Sequence, residues 1–316
     1  MAAVEGRDAA AADSGGVQPK YDAEFTDNVI AATGPNAHPR LKQIMPSLLR
    51  HLHDFAREVD LTVAEWMVGV DLINESGRMS DDKRNETAML SDVLGLESLV
   101  DEITSKLLIS ARSGGDGSGR PQVTPSTVLG PFYRVDAPIL PNGSSIITAP
   151  QDSAWYQKAA PMLAYVSGRV TSAQSGRPVA GASLDVWLAG PNGLYEQQDP
   201  DVPDMNLRGR FRTDEAGRYA LRCLRPTAYP IPEDGPAGRL LTLLDRQPYR
   251  PAHIHFIVEA PGHHSLTTQY FDADDPHISD DTVFAVKKEL LVRFQERTGD
   301  KDARWSAMCD FVLSEG

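Results

Sequence analysis

Cysteine is nearly absent: Cys223 and Cys309 are the only two in 316 residues. Two thiols cannot build a disulfide framework or a Cys-rich zinc site. No apolar run approaches the ~18 residues that a membrane span needs. Residues 1–19, rich in Ala, Gly and Asp, lack the apolar core of a secretory signal. Basic residues are in deficit, 31 against 44 acidic ones, for a formal charge of -13. Such a chain repels phosphate backbones, which argues against nucleic acid as a partner. No G-x-G-x-x-G follows a strand-like segment, so a nicotinamide or flavin is not expected. What remains is a globular protein of a reducing compartment, expected in the cytoplasm, with length for roughly two domains.

The hydrophobic pattern changes period along the chain. Residues 1–20 read as a disordered tail. Leu48, Leu52, Phe55 and Val59 then recur at helical spacing, and Thr62 to Glu65 forms a capping box before a second helix that Gly77 is expected to end. Further helices are expected around Glu86 to Leu94 and Ser98 to Leu108. Ser113 to Pro121 supports neither helix nor strand and marks a linker. Beyond it the period falls to two, in Ala164–Thr171, Leu184–Leu188, Arg208–Thr213, Tyr219–Leu224, His253–Val258 and Leu266–Phe271. Short strands with frequent Gly, Pro and Asp turns argue for a β-sandwich. A last helix is expected from Val283 to Phe294, with Val286, Leu290 and Phe294 on one face. The expectation is an α+β chain: a tail over 1–20, a helical dimerisation domain over 21–125, and an antiparallel β-sandwich catalytic domain with a C-terminal helix over 126–316.

The stretch Arg250-Pro251-Ala252-His253-Ile254-His255-Phe256 carries the most chemistry. In a strand, residues i and i+2 share a face, so His253 and His255 stand side by side while Ile254, Phe256 and Val258 pack the other way. Two adjacent imidazoles on a rigid strand are ready metal ligands. His51 and His53 have the same spacing on a helix, where about 200° separates them around the axis. A third ligand is harder to find. Cysteine is unavailable, and Asp and Glu near the pair are few. Tyr195 and Tyr229 remain as candidates, although a lone tyrosine more often packs with its hydroxyl satisfied.

Several segments together resemble the intradiol ring-cleaving dioxygenases. They are Gly130-Pro131-Phe132-Tyr133, Tyr165 to Val170 through Gly181, Leu184-Asp185-Val186-Trp187 and on to Tyr195, Tyr229-Pro230-Ile231-Pro232, and Arg250 to His255. The resemblance runs from about Pro39 to Phe294 and lies nearest the hydroxyquinol-cleaving members. It implies one non-haem Fe(III) per subunit, held by Tyr195, Tyr229, His253 and His255. Phenolates suit that hard cation, where thiolates suit softer ones. The resemblance further makes Arg250, Tyr229 and Gln269 catalytic. It places Leu72, Val128, Gly130, Pro131, Phe132, Ile231, Pro232 and Arg250 around the substrate, with Glu75 a candidate partner for a third ring hydroxyl.

The implied reaction inserts both atoms of O2 into an aromatic vicinal diol, converting hydroxyquinol to maleylacetate. Catechol or chlorocatechol cleavage to cis,cis-muconates is the near alternative. The resemblance also implies a homodimer through the helices and a lipid at that interface. A non-catalytic sandwich that binds a partner or sugar is the reading from another class. A zinc hydrolase built on the H-x-H pair lacks an identifiable carboxylate base.

Overall fold

The computed structural model describes residues 21–110, 122–300 and 302–316, so the expected tail and linker lie outside the described residues. The chain divides into two compact units, Met1–Val70 and Asp71–Gly316. The first holds α1 (Phe25–Ala31) and α2 (Pro39–Glu58). Pro39 begins α2, where its missing N–H is no loss. Within this unit His53 Nδ1 pairs with Thr26 Oγ1 at 3.0 Å, a packing role. The stripe Leu48, Leu52, Phe55 and Val59 lies along α2 as expected, yet all four side chains are exposed in the single chain.

α3 (Val63–Met79) opens on the expected box: Thr62 N–H donates to Glu65 Oε2 at 2.9 Å, and Glu65 N–H donates to Thr62 Oγ1 at 3.3 Å. It continues past Gly77 to Met79, and the Ser80 N–H and hydroxyl both close onto the Ser76 carbonyl. α4 (Glu86–Val93) is capped by Asn85, whose Oδ1 accepts from Ala88 N–H at 2.9 Å. α5 (Leu96–Ser110) follows. Met89, Leu90 and Val93 of α4 are buried in the same core as the strands. The division expected at residue 125 is therefore corrected: burial of these apolar side chains ties α4 to the sheets. Two short helices, α6 (Ala154–Ala159) and α7 (Pro236–Leu243), add to the expected set.

The strands are β1 (Leu163–Ser172), β2 (Ser183–Trp187), β3 (Arg208–Arg212), β4 (Arg218–Leu224), β5 (Tyr229–Pro230), β6 (Tyr249–Arg250), β7 (His253–Glu259), β8 (Leu266–Asp272), β9 (Leu291–Val292), β10 (Gln295–Glu296), β11 (Trp305–Met308) and β12 (Phe311–Leu313). One sheet runs β10-β11-β1-β12, with β4 also paired to β1, and the other runs β3-β2-β7-β8-β9. Val166, Leu184, Phe211, Leu221, Phe256 and Phe311 fill their shared core. The sandwich is mostly antiparallel, but β1 pairs in parallel with β11 and β12, and β8 with β9.

The expected C-terminal helix does not form. Between Val283 and Phe294 the chain makes only a 3-10 turn, Lys288–Leu290, and then β9. The Asp281 carboxylate takes the N–H groups of Val283 and Ala285, and Phe284 adopts a left-handed φ of 59°. That backbone conformation interrupts a right-handed helix. Val283, Ala285, Leu290 and Phe294 are buried one by one along an irregular path.

Candidate metal centre and active site

β7 is the central strand of its sheet, paired on both edges, and its residues from His253 to Phe256 are buried on both faces. His253 and His255 share one face, and each is 2% exposed. Tyr195 sits at the mouth of a short turn after β2, where its N–H donates to Gln198 Oε1 at 3.0 Å. Tyr229 arrives on β5, whose ladder with β6 pairs it directly with Arg250. Three separate connections thus deliver four donors to one place. Tyr195 Oη lies 3.0 Å from Tyr229 Oη and 3.0 Å from His255 Nε2. His253 Nε2 lies 3.1 Å from His255 Nε2 and 3.4 Å from Tyr229 Oη.

Electrostatics keep the four groups neutral as free side chains. Burial pushes both phenols above the usual tyrosine range, Tyr195 furthest. Burial, reinforced by the Arg250 charge, holds His253 well below the ordinary histidine range, and burial followed by His253 does the same to His255. His253 Nδ1 stands 2.6 Å from the Pro251 carbonyl, which must receive a proton there, so its Nε2 lone pair faces the cluster. Trp187 stacks on His255 with ring centres 4.6 Å apart and an 8° interplanar angle. Donors about 2 Å from one ion stand on the order of 3 Å apart when adjacent, so the four atoms fit a single small cation. Among the described residues no three His, Cys, Asp or Glu side chains could hold a metal. A metal held here would need both phenols as donors, and phenolates suit a hard, highly charged ion rather than zinc.

Arg250 flanks the cluster at 3% exposure. Its Nη2 donates to Gln269 Oε1 at 2.8 Å, Nη1 lies 3.0 Å from His253 Nε2, and Nε is 3.4 Å from Asp281 Oδ1. Burial works against this charge, but Asp281 and the two phenols outweigh it and hold the proton more tightly than usual. Gln269 in turn donates to the Val128 carbonyl at 2.8 Å, so its amide is fixed at both ends.

Asp92 lies near this assembly at 2% exposure. Burial, then a hydrogen bond to Glu97, pushes its carboxyl up to about 9. The sign follows from linkage: a carboxyl raised in the folded state from about 3.9 contributes stability at low pH and loses it as pH rises toward the folded value. Asp92→Asn is therefore expected to flatten the decline in Tm between about pH 4 and pH 9. Calorimetry across that range checks it, and an unchanged slope would refute the assignment.

A cavity of about 630 Å³ opens beside Tyr229 and is walled by Phe132, Ile231 and Pro232, with Met79, Arg84, Asn192, Leu194 and Gln197. Leu72, Val128, Gly130, Pro131 and Arg250 are not on its wall. Leu72 is half-buried against the core, and Val128 supplies the carbonyl that holds Gln269. Gly130 has a φ of +79°, and a Cβ there would meet His255 Cε1 at 3.3 Å, so its bare backbone lies against the His255 ring. The Pro131 carbonyl accepts from Asn85 N–H at 3.1 Å. Glu75 is paired with Arg239 and is also off the wall. Trp187, Arg208 and Asp281 escaped the sequence reading. Parity places Trp187 on the face opposite Leu184 and Val186, so its signal was present; nothing local marked Asp281.

Residues 38–108 match the family described as catechol dioxygenase N terminus, and residues 148–315 match the one described as dioxygenase. A catechol 1,2-dioxygenase of Candida albicans is 47% identical over 281 residues, covering 88% of this chain and 86% of its own. A hydroxyquinol 1,2-dioxygenase of a Rhizobium species is 41% identical over 298 residues, covering 91% and 94%. The crystal structure of hydroxyquinol 1,2-dioxygenase from Pseudomonas putida is similar at 39% identity and a TM-score of 0.73, covering 92% of this chain and 98% of that one. With both of these segments and the fold so matched, the chain belongs to the intradiol ring-cleavage dioxygenase family of enzymes.

Proposed function

We propose that the protein is a non-haem ferric dioxygenase that opens hydroxyquinol between its two adjacent hydroxylated carbons, giving maleylacetate with both atoms of O2 incorporated. The observation that carries this is the convergence of two phenols and two imidazoles within 3.0–3.4 Å of one another beside a buried guanidinium. Tyr195, Tyr229, His253 and His255 hold one Fe(III) per subunit, and two phenolates offset most of its charge in a buried site. Bound there, the ion supplies Lewis-acid activation of the diol toward O2.

The chain's own groups do the rest. Phe132, Ile231 and Pro232 receive the ring on an apolar wall. Tyr229, the donor that borders the cavity, is placed to take a proton from the entering diol at its hydroxyl oxygen. Arg250 stabilises negative charge on the bound ring, and Gln269 holds Arg250 in position. Outside the site, the exposed apolar stripe of α2 supports a homodimer formed by a second copy, with a lipid at that interface, in a cytoplasmic protein. Sedimentation as a monomer would overturn the dimer.

Oxygen uptake by the iron-loaded protein with hydroxyquinol, catechol and 4-chlorocatechol is expected to be fastest with hydroxyquinol. A catechol preference overturns the hydroxyquinol assignment and leaves the ring-cleavage reading intact. Catechol is the second reading, favoured by the Candida albicans relative at 47% identity. Loss of all uptake, with no tyrosinate-to-iron colour after iron loading, overturns the ferric reading itself.

A further inference from the structure

Among the described residues Arg208 makes no hydrogen bond to Arg250 or Gln269, yet it is 1% exposed. A guanidinium so buried needs compensation. Its Nε donates to Glu196 Oε2 at 2.6 Å, and its Nη2 donates to Gln197 Oε1 at 2.6 Å and to the Phe132 carbonyl at 2.8 Å. Arg134 takes the other Glu196 oxygen at 2.7 Å. Glu196 and Gln197 directly follow Tyr195, so Arg208 clamps the turn that carries this phenol.

The clamp also sets the guanidinium carbon 5.9 Å from the centre of the Tyr195 ring. That is within the ~6 Å reach of a cation–π interaction. Strand register accounts for the placement. Arg208 pairs with Trp187, Trp187 with His255, and His255 with Gln269, one row across four strands. Residues in such a row project from the same face of the sheet. Among the described residues, no guanidinium stands over the Tyr229 ring in this way.

We propose that Arg208 is a positioning residue of the metal centre: it clamps the Tyr195 turn and polarises the Tyr195 ring, so that the two phenolates are unequal donors. The proposal rests on the ferric reading. Its competitor is an ion pair that stabilises the fold and leaves the donor electronics alone.

A nearby cation lowers the energy of the filled phenolate orbitals. In the iron-loaded protein, Arg208→Gln is therefore expected to move the visible charge-transfer band to longer wavelength and to lower kcat about 10–100-fold, with KM changed less. Arg208→Lys keeps the charge without the planar fork, and is expected to hold the band near its wild-type position. Arg208→Gln leaves the buried Glu196 carboxylate with Arg134 as its one remaining cationic partner and costs fold stability, so the double variant Arg208→Gln/Glu196→Gln, which removes both charges of the pair, is read in the same way if Arg208→Gln does not fold. A lowered Tm with an unshifted band, in whichever of the two variants folds, overturns the proposal and leaves the ferric reading standing. A wild-type protein without the band overturns both, so the two failures are distinguishable.

Discussion

His255→Gln is expected to abolish iron retention and ring cleavage together, lowering oxygen uptake by more than ~10³-fold. Changes behind a metal ligand already cost about 10–100-fold, and this one removes a proposed ligand itself. Glutamine approximates the imidazole in length, so the packing beneath Trp187 is largely kept. The geometry predicts why no neighbour rescues the loss. His255 Nε2 is within 3.1 Å of both Tyr195 Oη and His253 Nε2, and no carboxylate or thiol joins them among the described residues. Metal analysis and visible absorption are the measurements. Full iron occupancy at wild-type turnover would remove His255 from the ligand set. A non-catalytic sandwich predicts unchanged ligand binding in the same variant.

Arg250→Lys is expected to lower kcat by about 10²–10³-fold while the iron colour persists, comparable to removing one donor from a preorganised anion site. Lysine retains a charge but not the fork that spans Gln269 Oε1, His253 Nε2 and Asp281 Oδ1 at 2.8, 3.0 and 3.4 Å. Asp281 keeps the N–H groups of Val283 and Ala285 at 3.3 and 3.0 Å, so its carboxylate is not stranded by the change. The fold should therefore survive, and the loss should fall on kcat more than on KM. A variant that keeps a tenth or more of wild-type kcat would show that Arg250 acts only as packing.

These two expectations draw on different depths of the chain. The pairing of His253 with His255 was legible because a strand alternates faces residue by residue, and β7 spans His253–Glu259 as its pattern indicates. The capping box at Thr62 and Glu65 was legible for the same reason, being a contact three residues long. The failed helix after Asp281 shows the limit of local periodicity. Apolar residues at helical spacing marked one face, but a carboxylate already bonded to Arg250 captured the two N–H groups that would have begun it.

The pocket fared unevenly. Phe132, Ile231 and Pro232 line the cavity, whereas Val128 and Gly130 serve the site from behind, one through its carbonyl and the other through the absence of a side chain. Neither use leaves a mark in side-chain chemistry. The α2 stripe was also legible as a stripe, but its exposure became visible only in the folded unit.

By itself, the sequence determined which residue types were available for the metal, two cysteines against nine tyrosines, and which histidines share a face. It also determined where helices gave way to strands. Tertiary structure alone decided that Tyr195 and Tyr229, 34 residues apart, bring their hydroxyls to 3.0 Å, and that Arg208 stands beneath one ring and not the other. Periodicity is set by bonds a few residues long, whereas convergence depends on strand register, which is fixed only when distant segments pair and bury their apolar faces against each other.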